Sequence, residues 1–255
     1  MSISIITRSY RLSELKGLAS YLEGNKEIEK EVIAVCNIKD TDLRGIKLIL
    51  QNSNRFEARI TGIKNAKYDK VLLLDSDQIP ENDLLLELDN RDDDMVIIPE
   101  KSISESLTAK CLDDWRTRNE NLARKRISPY ILVVPRFYRK IILLEAIGKM
   151  PYILFKTVSH EDSILYYEAF RITQNVGFSV KHIYNDDPGF FTLMQKAFLY
   201  GKFMKSTRQM DLPNDILYLL DKLNKSSANV KDLGFGSGYF IQIPRAFAYE
   251  LGRLL

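Results

Sequence analysis

Two cysteines and two histidines in 255 residues leave little material for soft-metal or redox chemistry. Cys36 lies inside an apolar strand pattern and Cys111 stands far along the chain, so neither belongs to a pair with metal or redox spacing. A reducing, cytoplasmic setting is the simpler expectation. No stretch approaches eighteen uninterrupted apolar residues, so none is expected to span a bilayer. The opening MSISIITRSYR enters a strand pattern with no basic leader or small-residue cleavage site, so no secretory signal is expected. An excess of one charge is also missing. Lys plus Arg number 37 against 34 Asp plus Glu, a formal +3, which argues against a bulk polyanion and so against nucleic acid. There is no internal repeat and no low-complexity segment. The length suits one large domain, or one domain with an appendage.

What is present centres on Val71-Leu72-Leu73-Leu74-Asp75-Ser76-Asp77. Four aliphatic residues followed by polar ones read as a strand buried on both faces, as in a parallel sheet covered by helices. In open α/β sheets ligands bind outside the carboxyl ends of the strands, where these two acids fall. Residues i and i+2 of an extended segment point the same way, and Ser76 between them is small. Two hard oxygen ligands there suit Mg²⁺ or Mn²⁺ while leaving positions for phosphate oxygens. The plain alternative is an acidic strand end opening a turn.

Around this stretch the periodicity predicts alternating strands and helices. Strands are expected at 2–7, 31–36, 46–50 and 95–99, with helices after Arg11, at 55–66 and at 80–88. Strand, helix, strand at this spacing means parallel pairing with right-handed crossovers. Beyond residue 100, a basic stretch around Trp115 reads mainly as a solvated helical face, since Asp113, Asp114 and Glu120 interrupt it. A strand is predicted over 130–135, a helix over 136–147, a helix opening at His160-Glu161-Asp162, and a last strand over 178–183. Acids at a helix start are favoured by the macrodipole whether or not they do chemistry. Phe190 to Arg208 reads as a basic amphipathic helix, 213–225 as a helix, and 239–255 as an apolar tail that wants a partner surface. GFGSG at 234–238 resembles a phosphate loop, but no strand clearly precedes it and it reads as a connection.

The order of these pieces resembles glycosyltransferase family 2, nucleotide-sugar transferases of the GT-A fold. The likeness rests on SIIT, EVIAV, NRFEARITGIKNA, YDKVLLLDSD, VPRFYRKIILLEAIGKMP, HED and PGFFTLMQKAFLYGK, and covers roughly residues 1–205. It implies an α/β, Rossmann-like fold with a mostly parallel sheet and a C-terminal helical extension. The expected division is a GT-A domain over 1–188, with a nucleotide-binding half at 1–100 and an acceptor half at 101–188, followed by helices at 189–255.

The resemblance also implies roles. Asp75 and Asp77 match the DxD element, with Asp77 on a divalent metal that bridges the donor diphosphate and Asp75 on the ribose or the metal. Ser76 lies with them in the donor site. Thr7 and Arg8 match the loop beside base and ribose, and Arg59 matches an arginine that contacts phosphates, with an exposed helix position as its plain alternative. Asp162 matches the general base of inverting members, Glu161 a supporting acid, and His182 a histidine reaching the metal or diphosphate, although a lone strand histidine is more often structural. Arg136 is either on the acceptor side or on the surface. The pattern departs where base-reading aspartates are usual, at Cys36 and Asn37; the Asn37 amide still offers a donor and an acceptor. The glycine and Arg-Asn pair of the third loop are altered as well.

The implied activity is an inverting, metal-dependent transfer from a nucleoside-diphosphate sugar to a hydroxyl of a sugar, lipid-linked or protein acceptor. The C-terminal helices suggest peripheral contact with the inner face of a membrane. A nucleotidyltransferase is the alternative enzyme, but TRSYRLSEL lacks the glycine-rich loop of that class. A nucleotide-sugar-binding scaffold without turnover is the non-enzymatic alternative.

Overall fold

The computed structural model describes residues 2–9, 12–24, 28–37, 43, 45–227 and 238–255. The glycine-rich residues 234–237 and the loop residues Tyr10 and Arg11 lie outside them. The elements are β1 (Ser2–Arg8), α1 (Leu12–Gly24), β2 (Glu29–Cys36), β3 (Ile46–Leu50), α2 (Arg55–Asn65), β4 (Lys70–Asp75), β5 (Gln78–Pro80), α3 (Leu84–Asp89), β6 (Met95–Ile97) and β7 (Glu100–Ser102). They continue with α4 (Leu107–Lys125), β8 (Phe137–Arg139), α5 (Lys140–Lys149), α6 (Glu161–Phe170), β9 (Val176–Phe178), β10 (Ile183–Asn185), α7 (Phe190–Arg208), α8 (Asn214–Ser227) and α9 (Ile243–Leu254).

The chain forms two compact units. The first takes residues 1–99, 135–150 and 165–185. Its described residues build a seven-stranded sheet in the order β3-β2-β1-β4-β8-β6-β9. The first four strands run parallel, with Ile5 opposite Val32 on one side and Leu72 on the other. Strand β8 is antiparallel to both neighbours, so the sheet is mostly parallel and mixed at one end. Ile3, Ile5, Val32, Leu72, Leu74, Leu84 and Val96 share one core, and Val71 and Leu73 are buried as well, so β4, covered on both faces, reads as a continuous aliphatic run. Helix α2 is closed at its start by a capping box: Asn54 accepts from the Glu57 N–H, and Glu57 accepts from the Asn54 N–H. The second unit, residues 100–134, 151–164 and 186–255, is built mainly of helices. In it α7 and α9 touch backbone to backbone. A Cβ on Gly201 would lie 2.1 Å from the Tyr249 carbonyl oxygen, and one on Gly252 would lie 2.0 Å from that of Phe198, so only glycine fits at either contact.

Several predicted elements are corrected. Residues 130–134 are not a strand; the strand begins at Phe137, and the helix predicted from 136 begins at Lys140. Pro129 and Pro135 bracket the apolar run and cannot donate to a ladder, and periodicity alone does not distinguish such a run from an extended loop. Arg136 instead joins the sheet through its backbone, donating to Val96 O and accepting from the Leu73 N–H. The helix predicted from Pro80 starts at Leu84, because Gln78–Pro80 pairs antiparallel with β10. The strand predicted over 178–183 divides into β9 and β10. The Glu87 carboxylate accepts from the backbone N–H groups of Val180 and Lys181 and holds a turn between them.

Candidate functional site

Strand β4 delivers Asp75 to the carboxyl end of the parallel sheet, and the chain turns immediately through Ser76 and Asp77. Asp75 is held from two sides. One oxygen lies 2.8 Å from an Arg59 guanidinium nitrogen and the other 3.6 Å from that of Arg136. Arg59 is only 4% exposed in the body of α2, so the exposed helix position that was its alternative does not hold. Arg136 is buried too, not a surface residue. Burial pushes the Asp75 carboxyl up, but the opposing charges of Arg59, Arg136 and Arg55 outweigh it and hold the group far below the ordinary carboxylate range. Asp75 is therefore ionised throughout the neutral and mildly acidic range.

The turn that carries Asp77 is pinned at both ends. Gln78 accepts from the Asp75 backbone N–H at 3.0 Å and donates to Asn185 Oδ1 at 2.9 Å in a buried link to β10. Ser76 donates to Glu14, which also accepts from Ser9 at 2.8 Å, tying the turn to the loop after β1. Arg8 donates to the Ser53 carbonyl at 2.7 Å. The hydroxyl of Thr7 is buried and has no hydrogen-bond partner among the described residues. Asn37 is exposed just beyond the end of β2. Thr7, Arg8, Asn37 and Asp75 thus all fall at the carboxyl ends of β1, β2 and β4, within the first unit.

Among the described residues no group of three or more His, Cys, Asp or Glu converges to hold a metal. His182 lies with its Nδ1 2.8 Å from Glu81 Oε2, and its backbone N–H donates to the same carboxylate. Asp77 is an exposed carboxylate. A single exposed carboxylate is the kind of ligand that a hard cation such as Mg²⁺ or Mn²⁺ takes when substrate phosphates and water complete its shell.

In the second unit Glu161 and Asp162 form the first turn of α6, where negative charge complements the helix dipole. Glu161 is buried and Asp162 partly so. His160 enters the helix at φ 58°, a left-handed conformation uncommon outside glycine, and such outliers gather at functional sites. Burial lowers the His160 pKa, opposed by the Glu161 charge, which favours the neutral ring beside these acids. Sequence reasoning missed this strain, and it missed the Gln78–Asn185 link and the second arginine on Asp75. It also placed Arg116 on a solvated face. Arg116 instead grips Asp187 with two nitrogens, at 2.6 and 2.7 Å, beside Ser102 and Asp113. Asp187 lies 71 positions from Arg116, and no local pattern points to that pairing.

No family model and no curated protein matches the chain. Solved structures do. The crystal structure of S. aureus TarS aligns with a TM-score of 0.56 at 17% identity over 94% of this chain. This chain spans only 45% of that one. TarS 1–349 in complex with UDP-GlcNAc gives 0.56 at 15% identity, covering 98% of this chain and 79% of the other. The mannosyltransferase PcManGT from Pyrobaculum calidifontis, in complex with GDP-Man and Mn²⁺, gives 0.62 at 13% identity, covering 99% and 86%. The chain has the α/β fold of these glycosyltransferases, a mostly parallel sheet flanked by helices with further helices at the C-terminus.

Proposed function

We propose that the protein is a glycosyltransferase of the family 2 type that moves a sugar from a nucleoside-diphosphate sugar to an acceptor hydroxyl with inversion. The observation that carries this reading is Asp75-Ser76-Asp77, fixed at the carboxyl end of β4 in a fold shared with transferases in complex with UDP-GlcNAc and with GDP-Man and Mn²⁺. Arg59 and Arg136 hold Asp75 in one orientation and bring positive charge to the place where a diphosphate would lie. Asp77, with Asp75 behind it, would hold a divalent cation. Bound there, such a cation would supply positive charge to offset that developing on the departing diphosphate, without any proton transfer. Thr7, Arg8 and Asn37 line the side of the base and ribose, and His182, held by Glu81, serves the metal or diphosphate.

Asp162 is the base. Its carboxylate takes the proton of the acceptor hydroxyl as that oxygen bonds to the anomeric carbon. The bond from that carbon to the diphosphate oxygen breaks on the opposite face, and the electron pair leaves with the diphosphate. Glu161 supports the acceptor. Incubation with UDP-, GDP-, dTDP- and CDP-sugars in Mn²⁺ should release nucleoside diphosphate from one class of donor, and chelation should stop the release. Equal release with and without chelator would overturn the metal-dependent mechanism. Release from none of them, with simple sugar and lipid alcohols supplied as acceptors, would favour a binding scaffold.

A further inference from the structure

The turn that carries Asp77 has an anchored residue on either side of it. Ser76 is tied to Glu14 on α1, and Gln78 is buried and tied to β10. The Gln78 amide uses both of its ends. Its oxygen accepts from the Asp75 backbone N–H at 3.0 Å, and its nitrogen donates to Asn185 Oδ1 at 2.9 Å. In the antiparallel pair of β5 and β10 Gln78 and Asn185 stand directly opposite each other, so the register itself brings them together. The Asp75 N–H needs such an acceptor. The Leu73 N–H donates to Arg136 O, and backbone groups two residues apart on a strand point the same way, but at Asp75 the ladder to β8 has already ended.

Two buried amides are not needed to join two strands, since a matched apolar pair does so about as well and carries no penalty for a lost partner. What an apolar pair cannot supply is the acceptor for Asp75. We infer that Gln78, held by Asn185, is a positioning residue for the cation: it closes the turn from Asp75 to Gln78 before any ligand arrives, so that Asp77 meets a divalent ion on a backbone already ordered. This rests on the reading of Asp77 as the carboxylate that holds the cation. A link that only joined β5 to β10 would affect stability and leave the response to the cation alone.

The test compares the full-length wild type, Gln78→Met, and Gln78→Met combined with Asn185→Leu. Calorimetry follows binding of UDP, GDP, dTDP and CDP over a range of Mn²⁺ concentrations and without Mn²⁺. Urea midpoints report stability, and amide hydrogen exchange reports the Asp75 N–H. In Gln78→Met the Asp75 amide should lose protection, and the Mn²⁺ needed for half-maximal nucleotide binding should rise about tenfold, the cost of ordering one residue's backbone. Binding without Mn²⁺ should not change. The paired variant should regain stability, because no buried amide then faces an apolar partner, yet keep the raised Mn²⁺ requirement. A wild-type Mn²⁺ requirement in the paired variant would overturn the inference, as would an Asp75 amide that exchanges equally fast in the wild type and in Gln78→Met. A wild type that binds no nucleotide with Mn²⁺ would overturn the donor-site reading and this inference together. Mn²⁺-dependent binding in the wild type with no shift in Gln78→Met would overturn the positioning role alone.

Discussion

Asp162→Asn should lower turnover by about 10²- to 10⁴-fold, the contribution typical of a positioned general base, and leave donor affinity unchanged. The amide keeps the size and hydrogen-bonding shape of the carboxylate but cannot take the acceptor proton. Helix α6 should persist, because Asn removes only one of the two acids in its first turn and Glu161 remains to complement the dipole. The check is steady-state release of nucleoside diphosphate beside donor binding by calorimetry. A loss confined to affinity would place Asp162 in binding and not in proton transfer. The pH profile gives a second reading, since the acidic limb that a carboxylate base imposes on the wild type should vanish in the variant.

Arg59→Ala should destabilise the fold by about 3 kcal/mol. The lower part of the range for breaking a buried pair applies, because Asp75 keeps some exposure and a second arginine at 3.6 Å. The pair also sets an acid dependence. The folded-state pKa of Asp75 is depressed, so its stabilisation is complete above the unfolded value, about 3.9, and is lost as pH falls toward the folded value. The stability gap between the wild type and Asp75→Asn should therefore be constant from neutral pH to about 5. It should then shrink by up to about 1.4 kcal/mol for each pH unit below about 3.9. Urea midpoints at several pH values measure it, and a gap that does not narrow in acid would mean that Asp75 is not held ionised by its arginines.

Much of the fold was legible because its signals are local. The isoleucines of β1, the aliphatic run of β4 and the capping residues of α2 declare themselves within a few positions. The same holds for Asp75 and Asp77, whose place at a strand end follows from Val71–Leu74. What the sequence hid are partnerships across long separations. Arg136 reaches Asp75 from sixty positions on, and the proline-bracketed run before it looked like the strand that actually begins at Phe137. Gln78 and Asn185 lie still further apart, and each alone reads as an ordinary turn residue. Periodicity reports which face of an element is buried, and no pattern in one sequence says which distant polar group will meet it there.

The most direct measurement is thermal or chemical stability in the presence of UDP, GDP, dTDP and CDP, with and without Mn²⁺, on the wild type and on Asp77→Ala. A ligand that binds only the folded state at about a hundredfold excess over Kd stabilises it by about 2.7 kcal/mol. The expected result is a shift of that size with one nucleotide, dependent on Mn²⁺ and absent in Asp77→Ala. A shift that persists in Asp77→Ala, or no shift with any nucleotide, would contradict a donor site built on the end of β4.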